Sequence, residues 1–219
     1  MEIIYKDPQV LVCIKPQGVL STDEPGGLPD LLRQELGDAN VRTVHRLDRV
    51  VGGLMVLGRT ARAASDLSRE IREGGFEKEY LAVLHGVPQE PEGILRDLLL
   101  RDPRERKTYV VTEPQKDAQE AILHYRVLEA AAGLSLVKIQ LVTGRTHQIR
   151  AQFSSRGLPL VGDRKYGVSD GADNIALWSC RLAFHQPKTG QRMEFTGKPP
   201  EAYPWTEFSS RKVRAAAKA

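Results

Sequence analysis

The sequence predicts an α+β fold, a mixed and largely antiparallel β-sheet core with a few flanking helices. Two observations carry the prediction. From Lys78 to Val142 strand-like segments follow one another, several through short turns, as antiparallel neighbours do. Helical signals, by contrast, are confined to a few stretches with apolar spacing or a recognisable cap. Many antiparallel strands with few helices define the α+β class. No repeat of fixed period is present.

The elements follow in order. Val10 to Ile14 reads as a buried strand, with Lys15-Pro16-Gln17-Gly18 as its turn. Leu28, Leu31, Leu32 and Leu36 have helical spacing, and Gly53 to Leu57 is strand-like. Thr60 offers an N-cap to a helix that carries Ala64, Leu67 and Ile71 inward and stops at Gly74-Gly75. Strands are expected at Lys78 to Leu84, Gly93 to Leu100, Lys107 to Thr112, Ala118 to Leu128 and Leu134 to Val142. Thr146 caps a helix through Ser155, closed by Gly157 and Pro159. Leu177 to Phe184 and Arg192 to Thr196 flank a turn at Pro187-Lys188-Thr189-Gly190. One domain is expected over residues 1–208, followed by a basic, Ala-rich, flexible tail over 209–219.

Composition narrows the classes. A chain of 219 residues, 27% charged and 41% hydrophobic, can bury a substantial core and is unlike a disordered segment. The 32 basic and 28 acidic residues leave a net charge of only +4. The stretch from Gln140 to Tyr166 matches that excess by itself, with Arg145, Arg150, Arg156, Arg164 and Lys165 against Asp163. Such local charge suits a polyanion, the plain alternative being a solvated basic face. Cys13 and Cys180 are isolated, so neither a disulfide framework nor metal-ligand spacing is expected, and a reducing cytoplasmic setting is. The histidines show no i,i+4 pair and no cysteine pair nearby, which argues against zinc. There is no signal-peptide pattern and no apolar run near the roughly 18 residues that a membrane span needs.

Two motifs bear the chemistry: HRLD at His45 to Asp48, and GRTHQIR at Gly144 to Arg150, with FEKEYLAVLHG between them. In order and wording they resemble the RluA-type family of RNA pseudouridine synthases. The likeness extends from IIYKDPQVLVCIKPQGVLS to FTGKPP near Pro200. The catalytic-domain pattern begins at residue 2, so no N-terminal S4 RNA-binding domain is expected.

The resemblance implies the pseudouridine synthase fold with a central RNA-binding cleft, and isomerisation of a uridine flipped out of a ribosomal or transfer RNA stem-loop. That reaction needs no redox cofactor and no metal. Asp48 falls on the family's catalytic aspartate, acting as a nucleophile or as a base on the sugar. Arg150 falls on the arginine that pairs with it, its other readings being a phosphate contact or a helix-surface charge. Tyr80 matches the tyrosine that stacks on the target base, against an ordinary core tyrosine. Arg46 would fill the space left by the flipped nucleotide. His45, Arg145, His147, Gln148, Arg164 and Lys165 are expected as RNA contacts, with His45 orienting its loop. The protein is expected to act as a monomer, without a membrane. Relatives commonly continue the first motif with Thr-Ser-Gly, whereas this chain has Val51-Gly52-Gly53. A noncatalytic RNA-binding module is the alternative. A glycosidase would need a second motif carboxylate, and none competes with Asp48.

Overall fold

The computed structural model describes residues 1–167, 169–210, 212 and 213. Most of the expected basic tail therefore lies outside the described residues. The chain forms two compact units: Met1–Lys78 with Trp178–Pro199, and Glu79–Leu177 with the described part of Pro200–Ala219.

In the first unit, β1 (Ile3–Lys6) pairs antiparallel with β2 (Val10–Lys15), and β2 pairs antiparallel with β4 (Gly52–Gly58). The two-residue β3 (Arg42–Thr43) also lies against β4. At its start β4 runs parallel to β10 (Leu177–His185), which makes an antiparallel hairpin with β11 (Arg192–Thr196). Every residue of β4 is buried, as an unbroken apolar run in a central strand requires. Helix α1 (Leu28–Leu36) starts with Pro29 in its first turn and ends at Gly37, φ 62°. In α2 (Ala61–Glu73) the Thr60 hydroxyl accepts the Ala63 N–H (3.0 Å), and left-handed Gly74 ends the helix. Ala63 and Leu67 are its buried residues, and the expected Ala64 lies half-buried against Gly58. Leu67 packs with Val10, Val12, Leu54, Val56, Phe76, Leu182 and Phe184, with Ile71 at the margin of that cluster.

The second unit is a wholly antiparallel sheet in the order β5-β9-β8-β6-β7. Its strands are β5 (Glu77–His85), β6 (Glu92–Asp102), β7 (Lys107–Val111), β8 (Gln119–Ala131) and β9 (Leu134–Leu141). Hairpins β6–β7 and β8–β9 join sequence neighbours, while β6 and β8 pair across the intervening hairpin. Helix α3 (Gln148–Ser154) packs against this sheet, Ala151 meeting Leu99 and Ala121. Among the described residues no helix is long and apolar enough to cross a membrane.

Candidate active site

Asp48 stands half-buried on the loop that leads into β4, between the exposed side chains of Arg46 and Arg49. The loop lacks regular structure, so its shape depends on where its backbone groups find partners. Buried Ser21 serves Leu47 twice, its Oγ donating to the carbonyl (2.6 Å) and accepting from the N–H (3.0 Å). Beyond Asp48, the Gly18 N–H donates to Arg49 O (2.8 Å), and Arg49 Nε donates to Gly18 O (2.9 Å). Both neighbours of Asp48 are thereby tied to the segment 18–21. The Val51 N–H closes the turn on Asp48 O (3.0 Å).

A further tie comes from Lys15, which the sequence reading left in a turn. It is the last residue of β2 and is 0% exposed. Its Nζ donates to Pro16 O (2.8 Å), Val19 O (2.7 Å) and Arg49 O (3.3 Å), so each ammonium proton has a carbonyl acceptor. Burial pushes its pKa down to about 8, opposed by the charge of Asp48 and then by Cys13. The available signal was a lysine closing an otherwise apolar strand.

His45 corrects an expectation. Instead of facing RNA it is 9% exposed, its Nε2 accepting the Val56 N–H (3.1 Å) and its ring packing on Phe76. Burial, helped by the charge of Lys78, pushes its pKa down to about 3, so the ring is neutral at ordinary pH. It anchors the start of the motif to β4. The departure at Gly52, and the Gly53 that follows it, also have a physical reason. A Cβ on Gly52 would come within 2.5 Å of the Trp178 ring, and Gly53, at φ 116°, would meet Ser179 O at 2.4 Å. The glycines let β4 and β10 approach where the family pattern has a serine.

In the second unit the GRTHQIR segment folds largely inward. His147, with φ 55°, is the N-cap residue of α3, so the helix begins at Gln148 rather than after a Thr146 cap. Gln148, expected at RNA, is 3% exposed: its Oε1 accepts from Thr143 Oγ1 (2.8 Å) and Arg145 N–H (3.0 Å), and its Nε2 donates to Ile122 O (3.0 Å). All three contacts brace the loop, and the buried amide faces the protein rather than a nucleic acid.

Arg150, also buried, grips Asp163 with two prongs, Nε to Oδ2 and Nη2 to Oδ1, both 2.8 Å. Asp163 Oδ1 also accepts the N–H groups of Lys165 (3.0 Å) and Tyr166 (3.2 Å), fixing the turn that follows. The Tyr166 ring centroid lies 5.1 Å from both the Arg150 guanidinium and Lys107 Nζ. Its hydroxyl accepts the Thr108 N–H (2.6 Å) and bonds to His147 Nδ1 (2.8 Å). Asp163 and Tyr166 were missed because neither belongs to the second motif. Tyr80 lies buried on β5, opposite Ile139 of β9.

The basic cluster divides. Arg156 forms a two-pronged bond to Asp97 (2.9 and 3.0 Å), so it and Arg150 are matched by carboxylates. Arg145 and Arg164 are exposed, though Arg145 Nε donates to Glu120 O (2.9 Å). Lys165 is exposed too, with Nζ on Arg106 O (3.0 Å) and Glu105 O (3.4 Å) at the tip of the β6–β7 hairpin. Among the described residues no three of His, Cys, Asp or Glu gather as a metal site.

The fold is that of pseudouridine synthases. It matches human RNA pseudouridylate synthase domain containing 1 with a TM-score of 0.82 at 24% identity, over 100% of this chain and 94% of that one. Residues 9–155, which include both motifs, match the family model described as RNA pseudouridylate synthase, and the chain belongs to that family of isomerases. Its relatives are of the RluA and RluD type. The Escherichia coli dual-specificity RNA pseudouridine synthase RluA is 33% identical over 203 residues, 88% of this chain and 90% of that one. Bacillus subtilis YlyB, described as an uncharacterized RNA pseudouridine synthase, is 34% identical over 214 residues, 92% of this chain and 70% of that one.

Proposed function

We propose that the chain converts a specific uridine of structured ribosomal or transfer RNA into pseudouridine, acting as a monomer in the cytoplasm. The observation that carries the reading is the Asp48 loop. It holds a half-buried carboxylate within the family span, its backbone tied on both sides and its flanking arginines exposed. The reaction breaks the bond between uracil nitrogen-1 and the ribose, turns the base and rejoins it through carbon-5. The proton leaves carbon-5, and nitrogen-1 gains one, so the product is an isomer. Asp48 supplies the carboxylate, toward the sugar carbon or as a base on the sugar. Tyr80 gives the flipped base a ring to stack on and a phenol for the carbon-5 proton. Arg150 contributes a fixed positive charge. Arg46 stacks and hydrogen-bonds in the space the uridine leaves, while Arg145, His147, Arg164 and Lys165 hold the RNA.

Ribosomal and transfer RNA transcribed with 5-tritiated uridine provides the test. Purified protein should release tritium, and Asp48→Asn should lower turnover on the order of 10⁴-fold or more while sparing RNA affinity. An Asp48→Asn protein that releases tritium at the wild-type rate would sink the assignment. Wild-type protein that binds these RNAs without releasing tritium would leave the binding-module reading.

A further inference from the structure

We infer that the β6–β7 hairpin is a rigid arm that grips the paired stem of the RNA by its phosphates, apart from the loop that carries the target uridine. The inference rests on the RNA reading above. The hairpin tip, RDPRERK from Arg101 to Lys107, has Arg101, Arg104, Arg106 and Lys107 against Asp102 and Glu105, and the fold commits both acids locally. Asp102 Oδ1 accepts the N–H groups of Arg104 (2.7 Å) and Glu105 (3.1 Å), and Glu105 accepts the Tyr109 hydroxyl. Arg101, Arg104 and Arg106 are exposed, and none has a carboxylate partner among the described residues. Arg106 holds φ 52°, a left-handed conformation that glycine adopts freely and a longer side chain adopts under strain. A turn that only reversed the chain would be better served by glycine; what an arginine adds there is its guanidinium.

The arm is also held still. The Thr108 N–H donates to the Tyr166 hydroxyl (2.6 Å), and Lys165 Nζ reaches Arg106 O (3.0 Å) and Glu105 O (3.4 Å). A surface fixed beforehand loses little freedom on binding. These ties set the arm beside Arg164 and Lys165, so it extends the basic surface that those two begin. A helix fits this arm better than an open strand, because no open ring is offered to a base. Open strands are held chiefly by aromatic rings on which bases stack, and A-form RNA through its phosphates and 2′-hydroxyls. The hairpin's Tyr109 has Lys107 Nζ 5.5 Å from its ring centroid, and the neighbouring Tyr166 has Lys107 and Arg150 at 5.1 Å. Guanidiniums without a stacking platform suit a phosphate backbone.

The test is a salt titration of affinity, by fluorescence anisotropy, on two transcripts. One carries a uridine-containing loop on a stem of one helical turn; in the other, one side of the stem is changed so that it cannot pair. Three contacts on a duplex, at about 0.9 each, should make the wild-type slope of log affinity against log salt steeper on the paired transcript by about 2.7. Arg101→Gln, Arg104→Gln and Arg106→Gly combined should remove that difference. Between roughly 50 and 200 mM salt, the variant's affinity for the stem-loop then falls on the order of 40-fold less than the wild type's. Glycine suits the left-handed turn, so Arg106→Gly keeps the hairpin, and alone it should flatten the slope by about 0.9. Wild-type slopes that agree on the two transcripts overturn the inference, and this needs no variant. So does a triple variant with the wild-type slope on the stem-loop, or one that flattens both slopes alike. Tritium release separates the failures. A wild-type protein that releases tritium while its arm proves silent loses only the present inference; arm-dependent stem binding without release supports the arm and strikes the synthase reading.

Discussion

The loop carrying Asp48 and the helix carrying Arg150 are held by different chemistry. Around Asp48 the contacts end on backbone groups: Ser21 on Leu47, Gly18 and Lys15 on Arg49, and His45 on Val56. Around Arg150 they run between side chains, with Asp163 in its fork, Tyr166 against its plane and His147 on the Tyr166 hydroxyl. Backbone ties fix where a chain goes, and so where the side chain it carries is presented. An ion pair fixes the side chain itself, and makes the region depend on one charge. The first arrangement suits a carboxylate that must react, the second a cation that must only stay in place.

That contrast is sharpest at Asp163. The Asp163→Asn variant keeps the shape and still accepts the Lys165 and Tyr166 N–H groups, but loses the charge facing Arg150. Removing one partner of a buried pair costs about 3–5 kcal/mol, measurable by denaturant unfolding. Arg46→Gln, on the exposed edge of the other loop, should change stability by less than about 0.5 kcal/mol. Equal effects in the two variants would erase the distinction.

Much of this was legible in the sequence, and the illegible part follows the same division. The strands from Lys78 to Val142 showed in their apolar patterning, and the Thr60 cap and Gly74 stop in their residue types. Strand β1 was missed because four residues with one half-buried face resemble a loop. Arg156 was counted as open charge because Asp97 lies 59 residues away, and for Arg150, expected to pair with Asp48, the fork on Asp163 went unseen because Asp163 lies outside the second motif. Lys15 was misread, and His45 read rightly as orienting its loop but wrongly as an RNA contact, for a related reason. Their partners are backbone atoms, which every residue possesses and no sequence pattern displays. At Gly52 the signal was read in part: the extra glycine suggested a close approach, and what a Cβ there would meet is the Trp178 ring.

A smaller effect separates the regions by pH. His45 is folded with a pKa of about 3, below its ordinary value near 6.5, so the unfolded chain binds the proton that the folded chain refuses. Its contribution is fully present above pH 6.5 and is lost as pH falls toward 3. Between pH 7 and 5 the loss is about 2 kcal/mol by that linkage. Urea unfolding at the two pH values should show this loss in wild type and lack it in His45→Gln. An equal loss in both proteins would mean that His45 is not the group that resists protonation.

The smallest effect concerns which arginines meet RNA. Arg46, Arg145, Arg164 and Lys165 are exposed, whereas Arg150 and Arg156 are matched by acids. Four phosphate contacts on single-stranded RNA give a slope of log affinity against log salt of about −3, or on the order of 50-fold weaker binding between roughly 50 and 200 mM salt. Arg164→Gln should flatten that slope by about 0.7, which is only a 2- to 3-fold change in affinity over the same range, with turnover at saturating RNA unchanged. Arg156→Gln removes the same formal charge from the same stretch of chain, yet should leave the slope where it was, because its guanidinium is committed to Asp97. If both variants flatten the slope alike, formal charge in the sequence predicts RNA contact better than the pairing does. If Arg164 alone does so, what matters in a basic cluster is which of its members the fold has left without a carboxylate.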